Sequence, residues 1–128
     1  MELGIKGQAE WLVTEDKLAK NVGSGEVAVF ATPMLLAGIE YTAMESVKPY
    51  LPEGKVTVGV DASFSHLAAT PEGMKVRFET ELTAIDGKML TFQVAAYDEV
   101  GKVSEGTHKR AIVTKASFEE RAKNKGQN

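Results

Sequence analysis

The 128-residue chain contains no cysteine. Disulfides, thiolate zinc sites and a cysteine nucleophile are therefore excluded. It has two histidines, His66 and His108, too few for a histidine-rich metal site, and neither metal nor cofactor is expected. Positive charge is not in excess: 15 Lys and Arg stand against 18 Asp and Glu, a net charge of -3. That balance offers no electrostatic basis for binding nucleic acid or an anionic membrane. No run approaches the ~18 apolar residues of a membrane span. The N-terminal MELGIKGQAEW lacks the apolar centre of a signal peptide, so the expected location is the cytoplasm. What remains is an ordinary globular composition, 43% hydrophobic and 26% charged, long enough for one domain spanning 1–128 with a core that needs no staples.

The longest ordered signal is TPMLLAGIEYTAMESV. Thr32 as N-cap and Pro33 at the first helical position open a helix, and Pro49 closes it, so the spacing predicts a helix over Thr32–Val47. At 100° steps Leu36, Ala37, Ile39, Ala43, Met44 and Val47 form a core-facing side. Glu40 falls in the middle of it. A carboxylate among methyls and thioethers must be paired or hydrogen-bonded, since an isolated buried charge costs roughly several kcal/mol. A residue that violates the pattern in this way is the best functional clue in the chain.

Around that helix the pattern has a period of two. Residues 8–14 alternate weakly, with Trp11 and Val13 on one side. The polar stretch EDKLAKNVGSGE reads as a loop or as a mobile flap over a pocket. It is not a phosphate cradle, because no Lys-Ser/Thr follows at the required spacing. After a turn at 49–55, Val56, Val58, Val60, Ala62 and Phe64 share one face of a strand, with Thr57, Asp61, Ser63 and Ser65 opposite. Continued alternation points His66 toward the helix. Residues 74–85 alternate cleanly, as an antiparallel strand with one wet face does. Asp86-Gly87 is a hairpin signal suited to positive φ at both positions. Strands over 88–97 and 102–114 follow, and SFEERAKNK opens a short amphipathic tail with Glu119 and Glu120 spaced to pair with Lys123 and Asn124, fraying from about residue 124. One apolar helix followed by a meander must be wrapped by the sheet, an α+β fold. Its open edges invite self-association.

Three polar residues thus converge on one helix and one sheet face. Thr32 stands at the positive end of the helix dipole, Glu40 two turns on, and His66 at the end of the facing strand. Each has a plain structural account: a cap, a paired buried acid, a satisfied core histidine. Together a hydroxyl, a carboxylate and an imidazole can activate water and hold an oxyanion.

The stretches VFATPMLLAGIEYTAME, VGVDASFSHLAATPEG and EGTHKRAIV resemble, in order and spacing, the hotdog-fold thioesterases of the fluoroacetyl-CoA thioesterase-like family. The resemblance implies a hotdog fold, a homodimer with active sites at the subunit interface, and hydrolysis of an acyl-CoA thioester. It carries the catalytic group onto Thr32, Glu40 and His66, and implies substrate-binding roles for Gly59 and Arg110. Glu40 would act as general base toward water or as nucleophile, His66 would orient charge and pass a proton to the leaving thiolate, and Thr32 would position the carboxylate or water and polarise the carbonyl. The fluoroacetyl-specific branch carries aromatic residues ahead of the helix, where this chain has Gly25, Glu26, Val27 and Ala28 before Phe30. The expected substrate is accordingly a short or medium acyl thioester, taken as acyl-CoA, with an acyl-carrier protein as the other carrier left open. The alternatives are a non-catalytic acyl-CoA-binding hotdog domain and a hotdog dehydratase or hydratase. Ser46, Lys48, Lys55, Lys109 and Lys115 are candidate phosphate contacts by charge, with a solvated surface as the plainer account of each.

Overall fold

The computed structural model describes residues 1–126. Five strands form a single antiparallel sheet: β1 (Lys6–Leu12), β2 (Lys55–His66), β3 (Lys75–Asp86), β4 (Met89–Tyr97) and β5 (Lys102–Thr114). Their order across the sheet is β1-β3-β4-β5-β2. Helix α1 (Ala19–Val22) is a single turn, α2 (Thr32–Val47) is the long helix, and α3 (Lys115–Lys123) follows β5. Among the described residues no helix is long and apolar enough to cross a membrane.

The alternation of β3 and β4 builds the core as expected. Val76, Phe78, Thr80 and Leu82 are buried on β3, and Leu90, Phe92, Val94 and Ala96 on β4. The hairpin joining them is a two-residue turn from Asp86 to Met89. Only Gly87 has positive φ, at 59°, so the turn places glycine first rather than using Asp86 and Gly87 as its two central residues.

Helix α2 has the expected bounds but not the expected orientation. Leu35, Gly38, Ile39, Thr42, Ala43 and Val47 are buried, whereas Leu36, Ala37 and Met44 are half-buried. The helix is therefore turned by about a quarter of a revolution from the apolar stripe its sequence suggested. Gly38 explains this. A β-carbon there would collide with the Phe78 ring, which sits directly on the helix backbone. Close approach at a glycine lets a fully buried phenylalanine fill the space, and burial of such a ring contributes about 1.5–3 kcal/mol. The helix packs chiefly on β1 and β3, leaving Leu36, Glu40 and Met44 on its flank.

Strand β2 departs from simple alternation. Its register against β5 shifts between Gly59 and Asp61, which leaves Val60 unpaired and 55% exposed. Such a bulge switches the faces of the strand on either side of it. Before it Thr57, not Val56 or Val58, is the buried residue. Beyond it Ala62, Phe64 and His66 point inward in the expected phase. The stretch before α2 is likewise more ordered than a loop: Leu18 and Phe30 are 1% exposed, and their backbones pair. Near the C-terminus Lys115 pairs with Glu119 at 2.9 Å, and Asn124 bonds Glu120. The expected frayed end is a turn through Gly126, and its last two positions, 127 and 128, lie outside the described residues.

Candidate active site

Thr32 is not the helix cap. Ala31 occupies that position, and no side chain caps the helix. The Thr32 hydroxyl is instead 2.7 Å from His66 Nδ1. His66 is the last residue of β2, carried inward by the phase that follows the bulge. Burial lowers its pKa, opposed by a backbone contact at Ala68, so the neutral imidazole is favoured. Its Nε2 is shielded and has no hydrogen-bond partner among the described groups. A buried ring nitrogen left without a partner is uncommon and marks a place where a ligand atom would be welcome. The pair borders a cleft of about 420 Å³, whose walls include Val27, Phe30, Leu67 and Ala68.

Glu40 is not enclosed by the core. The helix rotation leaves its side chain 41% exposed and 3.4 Å from Arg110 Nη1. Its Oε2 rests over Gly59, where any β-carbon would strike it. Glycine at this place lets a carboxylate lie flat on the strand backbone. Eight residues of helix separate Glu40 from Thr32, about 12 Å of axial rise. The structure therefore brings Thr32 to His66, and Glu40 to Gly59 and Arg110, as two separate clusters.

Arg110 is 4% exposed and fully engaged. Nε donates to Thr57 Oγ1 at 2.9 Å and Nη2 to the Thr57 carbonyl at 3.0 Å. Nη1 lies 3.1 Å from His108 Nε2 and 3.4 Å from Glu40 Oε2. Burial lowers the guanidinium's pKa, and Glu40 opposes that shift. The residues put forward as phosphate contacts are mostly engaged within the protein: Ser46 with the Ala43 carbonyl, Lys48 with Glu45, Lys55 with Thr114 and Lys115 with Glu119.

His108, 2% exposed, was not among the expected site residues. Its pKa is lowered by burial first, with Arg110 acting the same way, and raised by its bond to the Asp61 carbonyl and by Glu40 and Asp61. The signal that would have found it is the inward phase of β5, where His108 and Arg110 pair with the buried Phe92 and Leu90 of β4. Two polar residues at successive core positions of a strand break its pattern as Glu40 breaks that of the helix.

The chain is similar in sequence and fold to known thioesterases. The family described as fluoroacetyl-CoA-specific thioesterase matches residues 13–116. The fluoroacetyl-CoA thioesterase of Streptantibioticus cattleyicolor is 33% identical over 97 residues, covering 76% of this chain and 70% of that protein. A structure of the fluoroacetyl-CoA thioesterase with acetyl-CoA superposes with a TM-score of 0.93 at 26% identity, covering 98% of this chain and 99% of that one. A Thermus thermophilus protein described as a thioesterase superfamily member superposes with a TM-score of 0.88 at 26% identity, over 96% of this chain and 91% of its own.

Proposed function

Because the chain belongs to the fluoroacetyl-CoA-specific thioesterase family, we propose that it is a cytoplasmic acyl-CoA thioesterase, a single hotdog domain that hydrolyses a short or medium acyl-CoA to the free acid and coenzyme A. The observation that carries this reading is the Thr32–His66 pair, a hydroxyl on an imidazole whose second nitrogen is unpartnered at the edge of an apolar cleft.

With Nδ1 accepting from the Thr32 hydroxyl, the ring proton resides on Nε2, where it stabilises the oxygen or sulfur that gains charge as the thioester is attacked. Glu40 supplies the carboxylate, as base toward water or as nucleophile toward the carbonyl carbon. Water adds its hydroxyl to the acyl carbon, the C–S bond breaks, and the proton passes to the thiolate. Thiolate leaves readily, so little acid assistance is required. Arg110 acts on the substrate only through Glu40, and Gly59 leaves room for that carboxylate beside the strand.

The eight residues of helix between Thr32 and Glu40, about 12 Å of axial rise, support a homodimer in which Glu40 of one copy meets Thr32 and His66 of the other. Two features favour it: β2 is an edge strand of twelve residues, and the flank of α2 around Glu40 presents half-buried Leu36, Ala37 and Met44. Exposed apolar flanks beside an open edge are what association covers.

The relatives named for fluoroacetyl-CoA do not set the acyl group here. The aromatic residue nearest the start of α2, Phe30, is buried in the core against Phe78, and Val27 is the exposed apolar residue of that loop. A general acyl preference follows. The test is release of free thiol from a panel of acyl-CoAs of graded chain length and from their acyl-carrier-protein counterparts. Turnover of several chains, abolished by Glu40→Gln and His66→Ala in folded protein, supports the proposal. A folded protein that releases thiol from none of them is a binding domain instead.

A further inference from the structure

The buried His108 has no place in the scheme above, yet it is bonded on both sides of its ring. At Nδ1 it meets the Asp61 carbonyl at 2.9 Å, where the ladder between β2 and β5 is interrupted. At Nε2 it meets Arg110 Nη1 at 3.1 Å. A guanidinium N–H can only donate, so Nε2 is the acceptor and Nδ1 carries the proton given to the carbonyl. Each ring nitrogen has one compatible role. The flat of the ring runs alongside Phe92, with centroids 6.3 Å apart.

We propose that His108 is a positioning residue for hydrolysis, fixing the Arg110 guanidinium against Glu40 by tying it to the bulge of β2. The geometry carries this. Nη1 has two hydrogens, one directed to His108 Nε2 and the other to Glu40 Oε2, while Nε and Nη2 are held by Thr57. A guanidinium held along three of its sides cannot rotate, so the carboxylate meets a donor in one fixed place. Without the acceptor at His108 the guanidinium keeps only its Thr57 bonds at Nε and Nη2 and can tilt at the Nη1 end, and the carboxylate loses its registration to the reacting atoms. Displacements of about 1 Å at such a point cost rate more than binding. The Val60 bulge thereby becomes part of the catalytic support.

This inference rests on the catalytic role proposed for Glu40, and the experiment separates the two. His108→Gln retains an acceptor within reach of Arg110, His108→Asn retains the donor to Asp61 but not that acceptor, and His108→Phe retains only ring volume. Steady-state kinetics on an acyl-CoA that the wild type hydrolyses, with thermal melting as a control for folding, should show kcat falling about tenfold or more in His108→Asn and His108→Phe. KM should change little, and His108→Gln should recover most of the rate. In an Arg110→Met background the His108 substitutions should have almost no further effect on kcat. Should His108→Phe fail to fold, the Gln and Asn pair decides. Equal rates for Gln and Asn, or an undiminished His108 effect in Arg110→Met, overturn the positioning role. Wild-type turnover in Glu40→Gln overturns the proposed role of Glu40 itself.

Discussion

Thr32 Oγ1 lies 2.7 Å from His66 Nδ1, a contact across 34 residues of sequence that joins the start of α2 to the end of β2. Thr32 is exposed and caps nothing, so its hydroxyl has little part in the fold and, in the proposed reaction, serves the site. Thr32→Val should lower stability by no more than about 0.5–1.5 kcal/mol and lower kcat by about a hundredfold. Denaturant unfolding and thiol release measure the two. A large loss of stability with unchanged rate would return Thr32 to a structural role.

The proposed dimer is open to a complementation test. Glu40→Gln and His66→Ala should each be inactive alone. Mixed and reassociated, they should recover about a quarter of wild-type turnover, because half the dimers are heterodimers and each of those holds one intact site. Inactivity of the mixture, with heterodimers demonstrated by mass, would place each site within one protomer.

Gly59 tests the seat of the carboxylate. In Gly59→Ala the new methyl displaces Glu40 Oε2, and a half-exposed carboxylate gives way at small cost. The expected outcome is a fall in kcat of about tenfold or more with little change in melting temperature. Retained activity would show that Glu40 works from another position.

Protonation provides a further check. Burial lowers the pKa of both histidines from 6.5, so between the folded and unfolded values the unfolded chain binds more protons and stability rises with pH. The folded state should be at full stability above about pH 6.5 and should lose stability as pH falls through the lowered values, as thermal melts from pH 8 to pH 5 would show. Turnover should decline on the same acid side, since a protonated His66 cannot accept from the Thr32 hydroxyl. In His66→Gln the stability loss on the acid side should be smaller than in the wild type.

Most of the elements were legible because their signals are local. Thr-Pro and the run after it mark α2, and the unbroken alternation in β3 and β4 fixes which side of each is dry. Thr32, Glu40 and His66 were legible as candidates, two of them as polar positions in apolar phases. What local pattern misjudged was orientation. Leu36 and Ala37 are as apolar as Leu35 and Ile39, so nothing short of the Phe78 ring meeting Gly38 says which stripe faces the sheet. The same turn of the helix moved Glu40 from the core to its margin. Val60 likewise reads as one valine in a series, and only the pairing of β2 with β5 shows that it is skipped.

Composition and periodicity were therefore enough to rule out thiol chemistry and to specify one helix against an antiparallel sheet, because side-chain spacing along a helix or strand is a property of the chain alone. The bonding of Arg110 to Thr57, His108 and Glu40 came from elsewhere. It joins two strands and one helix distant in sequence across one bulge, and a hydrogen bond between such groups exists only once the backbone has brought donor and acceptor within reach.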